Sequence, residues 1–318
     1  MSAKYLHQRP DFADLLRTIE GETNILVQLI EKDYWIMQVL FGLKQQGFEF
    51  ELKGGTSLSK AYHIIDRFSE DIDIHIKPWP EHGVNENPKN SNKNAIEAKR
   101  KFYDWLASEI KVEGIVDIKR DETFDNKQNY NSGGIRLYYN SLFGRLDGVK
   151  EGILLEVGFD QITPNSPKLI SSWAFEKAFP ILGNAIIDNR AQEINCYHLG
   201  YTFVEKLQTI ATKFRKELET GEEKPNLLRQ YYDVYSLLSN EEVQAFIGSR
   251  EYWEHKERRF PKVDLEVPIS QNEAFLLSDP ALRERFAERY KNTEALYYKG
   301  QPEFEQILDT LRNHIEKL

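Results

Sequence analysis

The stretch KGGTSLSKAYHIIDRFSEDIDI, residues 53 to 74, constrains the fold more than any other part of the chain. It leads a glycine turn into a short amphipathic helix and then into a strand that alternates acids with isoleucines. Gly54 and Gly55 let the backbone approach a phosphate chain, and the N–H groups opening the following helix can point at it. Asp71 and Asp73, two apart, share one face of an extended strand, while Ile72, Ile74 and Ile76 point the other way into a core. Two carboxylates on one face can hold hard divalent ions against a triphosphate. The unit predicts a site for nucleotidyl transfer.

The rest of the chain sets the frame. At 318 residues it exceeds the usual size of a single core, so two domains, or a core with a helical extension, are expected. A hydrophobic content of 40% with 12% aromatics suffices for a folded interior. The formal net charge of −9 argues against indiscriminate coating of DNA, which needs a basic surface, but leaves room for a local groove that takes RNA. Residues 1–14 are polar and carry no signal-peptide apolar region, and no apolar run approaches a membrane span. The lone Cys196 excludes an intramolecular disulfide and a cysteine-rich zinc site. The expectation is a cytoplasmic protein with no membrane partner.

Periodicity organises the remainder. Residues 23–46 carry Leu26, Leu29, Ile30, Ile36, Met37, Leu40 and Leu43 at helical spacing, with Gly47 as the stop. Residues 48–52 read as a strand entering the glycine turn. Leu58, Ala61 and Ile65 give the next helix a buried stripe, capped by Thr56 or Ser57. Residues 78–94 are a surface loop, 95–110 a helix, 121–132 a loop, and 135–139 and 153–159 two further strands. From about residue 166 the character is mainly helical, with apolar stripes at Phe203, Leu207, Ile210 and Phe214, and at Leu228, Tyr231, Tyr235 and Leu238. No solenoid repeat is present. The fold class expected is α+β: a small mixed sheet with helices, then a C-terminal helical domain. The domains would be a helical segment at 1–46 packed on the core, the core at 47–165, and the helical part at 166–318.

A third acid is expected on a neighbouring strand, and Glu156, inside ILLEVGF, is the first candidate. A charge within an apolar strand is expensive unless paired or metal-bound; an exposed strand face is the bland alternative. Asp160, near the strand end, is the fallback. Lys206 and Lys213 share one side of their helix, away from the apolar stripe, and Arg229 and Asp233 lie one turn apart on the next. Periodicity alone reads these as solvated faces with a minor salt bridge.

The chain resembles the AbiEii/AbiGii-type nucleotidyltransferase toxin family, a branch of the polymerase-β-like superfamily. The resemblance rests on Glu31-Lys32-Asp33-Tyr34-Trp35, on Lys53-Gly54-Gly55-Thr56-Ser57-Leu58, and on Arg67-Phe68-Ser69-Glu70-Asp71-Ile72-Asp73. Phe203-Val204-Glu205-Lys206-Leu207 and the Arg229/Asp233 pair follow in the same order. Glu156 stands where the wider superfamily more often has Asp.

The resemblance implies a polymerase-β-like core in which Gly54, Gly55, Thr56 and Ser57 hold a nucleoside triphosphate. It implies that Asp71 and Asp73, with Glu156 as the third acid, bind Mg2+ or Mn2+. Lys206 would contact the nucleotide, Asp233 would complete the site, and Arg67 would neutralise phosphate charge. It further implies the toxin half of a toxin–antitoxin pair linked to abortive phage infection, with a cognate antitoxin and an acceptor such as the tRNA 3′ end. The segment 250–262, basic with interleaved Tyr252, Trp253 and Phe260, is a candidate RNA track, although its glutamates also suit an ordinary solvated helix. Two other readings share these residues: a small-molecule nucleotidyltransferase or kinase-like phosphotransferase, and a non-catalytic nucleotide-binding regulator.

Overall fold

A computed structural model describes residues 2–88, 90, 92–146, 148–160 and 162–318. The chain divides into two compact units, Met1–Tyr62 with Phe68–Tyr197, and His63–Arg67 with His198–Leu318. In the first unit, helix α1 (Phe12–Thr23) ends where Asn24 turns left-handed, and α2 (Val27–Gln45) begins three residues later. The single helix expected over 23–46 therefore starts late, because Asn tolerates a left-handed φ that ends a helix. Helix α2 buries residues round its whole circumference, including Glu31, Lys32 and Asp33. A helix of that kind belongs inside a core, and its charges must be paired there.

The sheet comprises β1 (Phe50–Lys53), β2 (Asp71–Ile76), β3 (Ile115–Asp121), β4 (Ser132–Tyr139), β5 (Ile153–Gly158), β6 (Asn165–Ile170) and β7 (Ala191–Tyr197). Their order is β3-β4-β5-β2-β1-β7-β6. The acid-bearing β2 lies centrally, antiparallel to β1 and parallel to β5. The short α3 (Gly54–Thr56) follows β1, and α4 (Lys93–Glu109) and α5 (Trp173–Leu182) complete the unit's helices. The architecture is the mixed α/β one the sequence implies.

The change to helical character falls at residue 198, not near 166, because β6 and β7 extend the sheet. Pro167 lies in β6, the edge strand, where a missing N–H is tolerated. The second unit is helical: α6 (Leu199–Thr220), α7 (Leu227–Leu238), α8 (Glu241–Phe246), α9 (Arg250–Arg259), α10 (Lys262–Leu265), α11 (Glu273–Leu276), α12 (Pro280–Lys291) and α13 (Phe304–His314). The stripe of Phe203, Leu207, Ile210 and Phe214 is buried, as are Leu228, Tyr231 and Leu238 on α7. Among the described residues no helix is long and apolar enough to cross a membrane.

Candidate active site

Alternation places the acids. Ile72, Ile74 and Ile76 are at most 1% exposed, and Asp71 and Asp73 occupy the other face of β2. Pairing then sets their neighbours: Asp73 lies opposite Lys53 on β1 and opposite Glu156 on β5. Burial pushes the Glu156 carboxyl up to about 7; the charges of Asp73 and Asp71 add to that rise, while Lys53 and Lys150 oppose it. Lys150 forms an ion pair with Asp71, and Lys53 reaches Asp160 at 2.6 Å. The second oxygen of Asp71, Oδ1, is buried and has no hydrogen-bond partner among the described residues.

The glycine turn fits against these acids. Gly54 has φ +72°, and a Cβ there would overlap the Asp73 carboxylate. Only glycine satisfies both conditions, the left-handed backbone and the close approach. The chain then forms α3 and a π turn at Ser57–Ala61, which ends before Ile65. The longer helix expected there does not form, and neither Thr56 nor Ser57 caps it. The Thr56 hydroxyl donates instead to the Asp71 carbonyl, and the buried Ser57 hydroxyl lies against the Cys196 thiol.

Three consecutive charges on α2 brace this site. Glu31 accepts from the Ser141 hydroxyl at 2.7 Å and the Leu142 N–H at 2.9 Å. Lys32 donates to Glu70 at 3.3 Å and to the Lys150 carbonyl at 2.5 Å. Asp33 accepts from Lys60 at 2.5 Å and from the Trp173 N–H at 2.8 Å. Beyond the turn, the Tyr62 hydroxyl donates toward the carbonyls of Cys196 and Tyr197 at 3.2 and 3.0 Å. The sequence offered a signal for the brace, since adjacent charges inside an apolar helix demand partners. It offered none for Lys150, in a loop without periodicity.

In the second unit Asp233 is fully buried and holds two cations. Arg67 grips both of its oxygens at 2.7 Å, and Lys206 reaches it at 2.9 Å. Burial alone would raise the Asp233 carboxyl, but the Arg67 and Lys206 charges outweigh it and hold the group below its ordinary range. Arg67 is 4% exposed, and its guanidinium holds this carboxylate through two bonds. The expected minor Arg229–Asp233 surface bridge is replaced by this buried cluster.

The candidate RNA track on α9 also reads differently. Tyr252 is buried, with its hydroxyl donating to the Leu318 carbonyl at 2.8 Å, and Phe260 is buried as well. Arg258 meets His255 at 2.8 Å and Arg250 meets Glu254 at 2.6 Å. The helix packs its aromatics inward, and Trp253 alone of the three is exposed.

A central strand with alternating acids, fed by a glycine turn in a mixed sheet and followed by a helical unit, is a nucleotidyltransferase layout. A family model described as Nucleotidyl transferase AbiEii toxin, Type IV TA system, matches residues 36–310. The chain belongs to that family of nucleotidyltransferase toxins. Among solved structures it is similar to an antigenic nucleotidyltransferase-like protein from Paracoccidioides brasiliensis, at 11% identity and a TM-score of 0.33, covering 72% of this chain and 94% of that one. None of the curated proteins compared with the chain matches it.

Proposed function

We propose that this family member transfers a nucleoside monophosphate from a nucleoside triphosphate to an RNA hydroxyl, such as the tRNA 3′ end, with a divalent metal ion. The observation that carries the reading is the carboxylate row Asp71, Asp73 and Glu156 beside a glycine turn too close to Asp73 for any side chain. Such a row serves a polyphosphate only through a cation, because anions repel at this range.

The residues fit Mg2+ or Mn2+. Asp71 leaves a buried oxygen unpartnered, and the raised Glu156 carboxyl reflects an excess of negative charge that a cation would relieve. Among the described residues no group of three or more His, Cys, Asp or Glu side chains is gathered to hold an ion, so binding would draw the acids together, and Lys150 already sits on the other oxygen of Asp71. Asp71 and Asp73 would hold the ion, with Glu156 as the third acid. When bound, the ion supplies Lewis-acid polarisation of the phosphate and lowers the acceptor hydroxyl's pKa.

The chain's own groups then position the reactants. The backbone of the Gly54–Gly55 turn receives the phosphates. Glu156, ionised once a cation balances its neighbours, would complete the acid set that holds the ion. The acceptor hydroxyl releases its proton to solvent as its oxygen bonds to the α-phosphorus, the bond from that phosphorus to the oxygen bridging to the β-phosphate breaks, and pyrophosphate leaves with that electron pair. The RNA acceptor is argued from the toxin family: modifying an essential RNA end accounts for growth arrest without a protein target.

The test incubates the protein with total tRNA, Mg2+ and each NTP labelled at the α or γ position. RNA labelled from the α position alone, and lost in Asp71→Asn, is the expected result. Label from the γ position would make the protein a kinase, and an Asp71→Asn variant with full activity would remove the acids from the chemistry.

A further inference from the structure

Lys150 is placed with more care than a surface ion pair needs. Its backbone is fixed from both sides: its N–H donates to Glu70 at 2.8 Å, and its carbonyl accepts from Lys32 at 2.5 Å. Lys32 and Glu70 are themselves paired at 3.3 Å, with side chains only 3% and 7% exposed. Burying two charges is expensive, and this pair is kept where it clamps one loop residue to the residue just before Asp71. The side chain of Lys150 is left 29% exposed, on the Asp71 carboxylate and with its ammonium 4.9 Å from the centre of the Phe124 ring. Its charge acts on Glu156 as well.

A divalent cation at Asp71 cannot share that carboxylate comfortably with an ammonium, since like charges at van der Waals range repel strongly in a partly buried site. The backbone clamp keeps Lys150 from leaving with its loop, so only the flexible stem can swing. Within reach of that stem, the new anion is the polyphosphate that arrives with the ion. Lysine suits such an exchange, being a compact point charge on a mobile chain with three donors.

We infer that Lys150 is a substrate-binding residue that exchanges partners: it neutralises Asp71 before loading, and on metal binding its ammonium passes to a phosphate oxygen of the nucleoside triphosphate. The inference rests on the proposed function. It makes Lys32 and Glu70 positioning residues for that exchange.

Two binding measurements on the full chain test it, neither depending on turnover. Mn2+ affinity without nucleotide is read by electron paramagnetic resonance. Affinity for α,β-methylene triphosphate analogues of the four nucleosides, and for the nucleosides themselves, is read by calorimetry with Mn2+ present. Lys150→Met should bind Mn2+ at least about threefold more tightly, because a competing cation is gone. It should bind the triphosphate analogue about tenfold more weakly, the scale of one charge-assisted hydrogen bond, with nucleoside affinity unchanged. Lys150→Arg should recover most of the triphosphate affinity. Unchanged Mn2+ or triphosphate affinity in Lys150→Met overturns the exchange while the proposed function stands. A wild-type chain that binds no triphosphate analogue removes the proposed function and this inference together.

Discussion

Asp73 and Glu156 stand opposite each other across the parallel pairing of β2 with β5. Burial, with the charges of Asp73 and Asp71 added, pushes the Glu156 carboxyl up to about 7 against an ordinary 4.5, although Lys53 and Lys150 oppose the rise. A pairing register thus becomes an electrostatic property. The same carboxylates that would bind an ion are under strain without one.

The pH dependence of stability follows. A carboxyl raised on folding leaves stability intact below the unfolded pKa and removes it as pH rises through the folded one, here between 4.5 and about 7. The loss is on the order of 3 kcal/mol at most. Without metal, Glu156→Gln should therefore be more stable than the parent at pH 8, with the gap closing toward pH 4.5. Added Mg2+ should narrow the gap at pH 8. Urea denaturation at both pH values reads it, and a gap independent of pH would refute the assignment.

The Gly54 position separates backbone strain from site geometry. Gly54 and Gly221 both have left-handed φ, +72° and +69°, but a Cβ at Gly54 meets Asp73 whereas one at Gly221 meets nothing within 4 Å. Gly221→Ala should cost about 1–2 kcal/mol with transfer activity unchanged. Gly54→Ala should carry the same backbone penalty and also abolish transfer, because Asp73 must move. Equal activity in the two variants would show that the close approach at Gly54 is dispensable.

What the sequence revealed and what it hid have physical reasons. Alternation in DIDIHI made β2 and its acid face legible, because one face is buried and the other is not. Strand β3, IVDIKRD, mixes charge into both faces and is half-exposed along most of its length, so no period marked it. The edge strand β6 contains a proline, and β7 interrupts its buried residues with Gln192, Glu193 and Asn195. The helix expected through Ile65 failed because tertiary bonds, Thr56 to β2 and Lys60 to Asp33, shape the turn more than its apolar spacing does. Partnerships across long separations were invisible in principle. Asp233 meets Arg67 from 166 residues away, and Lys150 meets Asp71 from 79.

The Asp233 cluster yields a prediction about stability, not chemistry. Its carboxylate is fully buried and holds Arg67 through two bonds of 2.7 Å, with Lys206 at 2.9 Å. Removing the shared anion leaves a buried guanidinium without its charge partner, so Asp233→Ala should destabilise the protein by about 3–5 kcal/mol. Lys206→Ala removes one of two cations and leaves the bidentate Arg67 pair intact, so its effect should be smaller, about 1–2 kcal/mol. Because the Asp233 carboxyl lies below its ordinary range, its contribution is present above the unfolded pKa and fades as pH falls through the folded one. The stability difference between parent and Asp233→Ala should therefore shrink in acid. Chemical denaturation of the parent and of Asp233→Ala at neutral pH and near pH 3 measures this. An Asp233→Ala variant as stable as the parent at neutral pH would mean that the carboxylate does not hold the cluster together.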